Sequence, residues 1–179
     1  MSRYNTNKNN NTSKNNNNKT DLIKWGHHFF FGYSPLSNFY KQEFTYKGHL
    51  MGSLEQAYMY EKALYFNDLD RLHELTQGSI TPQHAKKLGR KVKPFNADEW
   101  TAVSYQKMVE ALRVKFNEPN LKQLLINTHN LILVEASPFD AIWGIKIGID
   151  ELDELTHLPN FKGQNLLGKA LMQVRDELN

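Results

Sequence analysis

SLEQAYMYEKALYF, Ser53–Phe66, is the stretch that decides the class of fold. Leu54, Ala57, Tyr58, Glu61 and Lys62 fall at three- and four-residue intervals, the period of a helix. Ser53, followed by Gln56, has capping-box spacing, so a helix is predicted over about 54–66, stopped by Asn67-Asp68. On that helix Glu55 and Lys62, seven residues apart, return to within about 20° of one another. They stand about 10 Å apart along the axis, too far for a helix ion pair, and that leaves room for something between their tips. Taken alone, two such charges read most simply as a solvated helix face.

Working outward, the chain alternates turn signals with short hydrophobic periods and shows no internal repeat. Upstream, His28–Phe31 and Glu43–Tyr46 read as strands, the second turning at Lys47-Gly48 into His49–Met51. Between them the loop Gly32–Phe39, GYSPLSNF, holds turn formers and two aromatics. Downstream, Thr81-Pro82 opens a helix with Gly89 as its stop, and Asn96 with Glu99 opens another running to about Phe116. A further helix is expected around Leu121–Asn127, then a buried strand at Leu131–Val134. Leu166, Leu167, Ala170, Leu171, Val174 and Leu178 make one apolar stripe on a terminal helix. The pattern is α+β: a compact, mainly helical single domain with a small β-sheet, over residues 25–179.

Residues 1–24, rich in Asn and Lys, bury too little apolar surface to offset chain entropy and are read as a disordered tail. The tail carries Arg3, Lys8, Lys14, Lys19 and Lys24 against Asp21, more than the whole chain's net +3, so the body is close to neutral. Nucleic acid is therefore not expected as a partner of the body except as a modified-base substrate. No apolar run reaches the roughly 18 residues of a membrane span, and the first segment lacks a secretory core. No membrane association and a cytoplasmic location are expected. With no Cys there is no disulfide framework, thiolate nucleophile or Cys-ligated zinc.

The scattered histidines form no paired ligand motif and no Gly-x-Ser-x-Gly elbow occurs, so neither a metal nor acyl transfer is expected. After the Leu131–Val134 strand, Glu135 and Asp140 flank a turn that leads to Trp143-Gly144. A strand end with a carboxylate and an indole suits a ligand's hydroxyls and ring, while the plainer reading is a capping Asp and a core Trp. Gly163–Lys169, GQNLLGK, is a plausible phosphate cradle at a helix start, although Gly168 inside a helix more often marks close packing.

These stretches occur together, and in order, with Gly89-Arg90, Trp100, Lys115-Phe116, Leu125–Thr128, VEASPFDAIWG at 134–144 and GQNLLGKALMQVR at 163–175. In that combination the chain resembles the YbiA-like, or NADAR, family. The resemblance implies a hydrolase of N-glycosidic bonds in ribosyl compounds, with no cofactor and a small ribosyl-phosphate or ADP-ribosyl substrate. It implies cleavage of pyrimidine intermediates of riboflavin synthesis to ribose 5-phosphate. Alternatives are removal of ADP-ribose from modified guanine, or a non-catalytic ADP-ribose or nucleotide-binding module. The implied catalytic residues are Glu55, Lys62 and Asp140, and the implied substrate-binding residues are Asn38, Phe39, Trp100, Trp143, Gly163 and Asn165. The chain departs from the family's pattern at Lys146, where a glycine is expected, and at Gln106-Lys107, where an arginine often sits.

Overall fold

The structure, a computed structural model, describes residues 22–155 and 157–179. The expected tail lies outside the described residues as far as Asp21; its last three residues, Leu22–Lys24, are strand. Among the described residues the order is β1 (Leu22–Trp25), β2 (His28–Phe31), β3 (Phe44–Tyr46), β4 (His49–Met51), α1 (Leu54–Tyr65), α2 (Leu69–Leu75), α3 (Pro82–Gly89), α4 (Ala97–Lys115), α5 (Pro119–Ile126), β5 (Ile132–Glu135), α6 (Ile149–Glu154) and α7 (Leu166–Leu178). The fold is α+β and mainly helical, and no described helix is long and apolar enough to cross a membrane. Length alone suggests one body; the chain divides into two compact units, each drawn from separate stretches of sequence.

The first unit holds the described residues up to Ser34 and His129–Lys169. Its sheet runs β1-β2-β5, with β1 antiparallel and β5 parallel to β2. Trp25 pairs with His28 across a two-residue turn whose Gly26 has φ +58°, a conformation open to glycine. Phe30, Val134, Ala136, Ile145, Ile147 and Leu152 form its core, with Ile23 and Trp25 of β1 against it. Each large side chain of this kind contributes about 1.5–3 kcal/mol when fully buried. That apolar partnership is why Leu22–Lys24 leave the polar composition before them and pair.

The second unit holds Pro35–Thr128 and Ala170–Asn179. Helix α1 is at its centre: Leu54 through Glu61 and Ala63 are all buried, so the helix is enclosed nearly all round rather than lying on a surface. Ser53 caps it, accepting from the Gln56 amide at 3.2 Å. The Gln56 side chain does not return to Ser53. Its oxygen accepts from Gly52 and Ile80 and its nitrogen donates to Leu75 and Gly78, which ties the segment after α2 to the helix start. Thr81 and Asn96 cap α3 and α4 as their sequences predict. Gly89 is the last residue of α3 and not a left-handed stop. A Cβ there would lie 1.8 Å from Met59 Sδ, so the glycine lets α3 close on α1.

Candidate active site

In the second unit the buried Glu55 carboxylate, 3% exposed, accepts from Asn38 Nδ2 at 2.6 Å. The Glu55 amide donates to the Asn38 carbonyl at 2.9 Å, so residue 38 grips residue 55 through both backbone and side chain. A carboxylate removed from water needs such donors, because an isolated buried charge is very costly. Phe39, next in the loop, lies beneath Lys86 of α3, whose Nζ is 5.0 Å from the ring centroid.

Two turns along α1, Lys62 donates to the Gly89 carbonyl at 2.9 Å and sits 4.0 Å above the Phe95 ring. Burial lowers its pKa below the usual lysine value, because desolvation penalises the ammonium. Phe95 packs on Phe66, Phe66 on Trp100, and Trp100 on Tyr58 with centroids 5.3 Å apart. Trp100 is thus a nearly buried wall of the aromatic cluster beside Lys62. Phe95 escapes the sequence reading because nothing in its neighbourhood marks it as more than a loop aromatic.

Glu61, also missed, is fully buried on another side of α1. It accepts from Tyr46 Oη at 2.9 Å and pairs with Lys47 and, at 3.4 Å, with Lys107. Burial and the Glu61 charge raise the Tyr46 pKa. Read by period, Glu61 is just another charge beside Lys62. The apolar stretches on either side of the pair, Ala57–Tyr60 and Ala63–Phe66, are the signal of enclosure. Lys107, from the Gln106-Lys107 pair where the resemblance leads one to expect an arginine, supplies a second cation to this carboxylate.

In the first unit Asp140 Oδ1 accepts from the amides of Ile142 and Trp143 at 2.9 and 2.8 Å. It therefore caps the turn that presents the buried Trp143. Gly163 packs on the same turn; a Cβ there would meet the Gly144 carbonyl at 2.3 Å. The phosphate-cradle reading of Gly163–Lys169 does not hold. The amides of Gln164, Asn165, Leu166 and Leu167 donate to the carbonyls of Ala141, Gly144, Ile142 and Trp143, so the donors a phosphate needs are taken. Asn165 likewise faces protein: its oxygen accepts from the Glu135 amide at 3.0 Å and its nitrogen donates to Leu133 at 2.9 Å. Lys146 has φ +57°, a left-handed conformation, which accounts for glycine being expected there.

The NADAR domain model matches residues 25–179. N-glycosidase R617 of Acanthamoeba polyphaga mimivirus is 38% identical over 128 residues, 70% of this chain and 73% of that protein. The riboflavin biosynthesis protein PYRR of Arabidopsis thaliana is 37% identical over 102 residues, 54% of this chain but 15% of that longer protein. The NMR structure of the E. coli protein YbiA superposes with a TM-score of 0.65 at 29% identity, covering 83% of this chain and 84% of that one. The chain belongs to the NADAR domain family, and the relatives that match most of its length include proteins named as N-glycosidases, hydrolases acting on N-glycosyl bonds.

Proposed function

We propose that this N-glycosidase hydrolyses the ribosyl N-glycosidic bond of a riboflavin-type pyrimidine intermediate and releases ribose 5-phosphate, with Glu55 and Lys62 carrying the chemistry. The observation that carries the reading is the enclosed carboxylate of Glu55, held by Asn38, on the same helix face as the half-buried Lys62. Breaking the bond between the anomeric carbon and nitrogen develops oxocarbenium character, which a fixed carboxylate stabilises in a low-dielectric setting. The same carboxylate takes a proton from the attacking water and passes it to the leaving nitrogen. In the alternative route Lys62, its ammonium disfavoured by burial, captures the open-chain aldehyde of the sugar as an imine with loss of one water, and a second water hydrolyses that imine to free the lysine and ribose 5-phosphate. Asp140 caps the turn that holds Trp143. The match to PYRR, a protein named for riboflavin biosynthesis, supports this substrate class over others.

The test is mass spectrometry of the purified protein with two substrates, the phosphoribosylamino-pyrimidine and DNA carrying ADP-ribosylated guanine, and with Glu55→Ala beside the parent. Ribose 5-phosphate from the first, lost in Glu55→Ala, is the expected result. ADP-ribose from the second alone would move the chain to the modification-reversing hydrolases. Unchanged turnover in Glu55→Ala would remove Glu55 from the chemistry. Borohydride trapping of a sugar adduct on Lys62 separates the imine from a simple charge contact.

A further inference from the structure

Lys115, the last residue of α4, is 0% exposed, and its Nζ reaches back to the loop before β3. It donates to the Pro35 carbonyl at 2.7 Å and the Ser37 carbonyl at 3.4 Å, and lies 5.3 Å from the centroid of the Phe116 ring. Burying an ammonium is costly, and an apolar side chain of similar volume is the cheaper way to fill a core. A lysine at such a site is explained by what its donors hold. Those donors fix two carbonyls of a segment with little regular structure of its own, one to three residues before Asn38. Within that segment the Phe39 amide donates to Ser37 Oγ at 3.3 Å and the Tyr40 amide to the Ser37 carbonyl at 3.4 Å, and the Asn38 carbonyl accepts from the Glu55 amide at 2.9 Å. From that segment the Asn38 side-chain amide is delivered onto Glu55 of α1.

We infer that Lys115 is a positioning residue for the glycosidase reaction: by clamping the Pro35 and Ser37 carbonyls it sets the Asn38 amide on the Glu55 carboxylate. The chain of contacts runs Lys115 to the loop backbone, loop backbone to Asn38, and Asn38 to Glu55. In this role Lys115 acts through its neighbours. This rests on the proposal that Glu55 carries the chemistry, and it adds how the carboxylate is kept in place. Partners that orient a reactive group one contact away typically matter by about 10- to 100-fold in activity, and a displacement of about 1 Å in the reacting geometry has a similar effect.

The experiment uses the full chain with Lys115→Met, Asn38→Ala, the double variant and Glu55→Gln. Each single change at 115 or 38 is expected to lower kcat about 10- to 100-fold while leaving KM within about threefold. The acid limb of the kcat profile should move to higher pH, since a carboxylate that loses a donor to its charged form is harder to ionise. The double variant should be no slower than Asn38→Ala, because both changes remove the same link. A double variant slower by the product of the two factors, or a Lys115→Met enzyme with parental kcat and pH profile, overturns the inference. A readout independent of activity is the Asn38 side-chain amide in 15N-labelled protein. Its protons should be protected from solvent exchange in the parent and exchange freely in Lys115→Met. Continued protection there overturns the clamp even if Glu55→Gln is inactive. Unchanged turnover in Glu55→Gln with loss of protection in Lys115→Met instead sinks only the catalytic reading. Should Lys115→Met not fold, Lys115→Gln, which keeps a polar side chain of shorter reach, carries the same comparison.

Discussion

Replacing Gly168 with alanine separates helix propensity from packing, because the two push in opposite directions. In an ordinary helix interior the change favours folding by about 1 kcal/mol. At this position, in the first turn of α7, the added Cβ would lie 2.1 Å from the Leu133 carbonyl oxygen. It would also lie 2.6 and 2.7 Å from the two amide atoms of Asn165. Ordinary non-bonded contact is about 3.5 Å, so more than about 1 Å must be found. The nearest atom is backbone of β5 and cannot swing away. Overpacking of that kind costs about 1–3 kcal/mol. The Asn165 amide is also pushed from the Glu135 and Leu133 backbone groups it satisfies, at about 1 kcal/mol for each bond weakened. With the propensity gain subtracted, Gly168→Ala should destabilise by about 2–4 kcal/mol. At about 2–4 °C per kcal/mol for a chain of this length, the melting temperature should fall by roughly 4–16 °C. Thermal unfolding followed by circular dichroism measures this, with Lys169→Ala on the exposed side of the same helix as a control expected within about 0.5 kcal/mol of the parent. A Gly168→Ala protein melting at or above the parent would refute the close approach of α7 and β5.

Three other outcomes are expected. Ser53→Ala should destabilise by about 1 kcal/mol through loss of the α1 cap, read as a lower urea midpoint with an unchanged slope. The Lys62 pKa lies below its unfolded value of 10.5, so its ammonium opposes folding at neutral pH and that penalty fades as pH rises toward 10.5. Urea unfolding at pH 7 and pH 10 should therefore show Lys62→Met losing ground to the parent at the higher pH; an identical difference at both would contradict the desolvation. Glu177, bonded by Arg113 at 2.7 and 2.8 Å, is held down to a pKa of about 2 from an ordinary 4.5. Its contribution to stability is present above about pH 4.5 and lost as pH falls through about 2. A carboxyl NMR titration should return its midpoint toward 4.5 in Arg113→Ala.

The parts of the fold legible in the sequence are those whose causes lie within a few residues. Ser53, Thr81 and Asn96 cap helices because each side chain meets an amide two or three residues away. The Lys47-Gly48 turn joins β3 to β4 because both residues adopt positive φ, +47° and +83°. Helix α2 is missed for a local reason too: Asp68 serves as the cap of α2 directly after α1 ends, so a stop signal is also a start. β1 is missed because its four residues, LIKW, follow directly on a long polar stretch, and only the Phe-rich β2 beside them reveals a strand.

The candidate site divides in the same way. The shared face of Glu55 and Lys62 follows from a spacing of seven on a helix, and family motifs mark both residues. Their burial does not follow, since a period shows which way a side chain points and not what covers it. That Asn38 holds Glu55, that Phe95 lies under Lys62 and that Lys115 reaches Pro35 depend on segments 17, 33 and 80 positions apart in the chain. The pairing of β2 with β5 joins residues a hundred positions apart, and the start of α7 becomes a lock on the Ala141–Gly144 turn and not a phosphate cradle. The sequence by itself determined α1, α3, α4, α5 and α7, the caps of α1, α3 and α4, and the residue types available for glycosidic chemistry, because those follow from hydrogen bonds closed nearby. Only the tertiary structure decided which polar groups are desolvated and which donors are already taken, because desolvation and competition for hydrogen bonds are set by neighbours that the chain brings from far away.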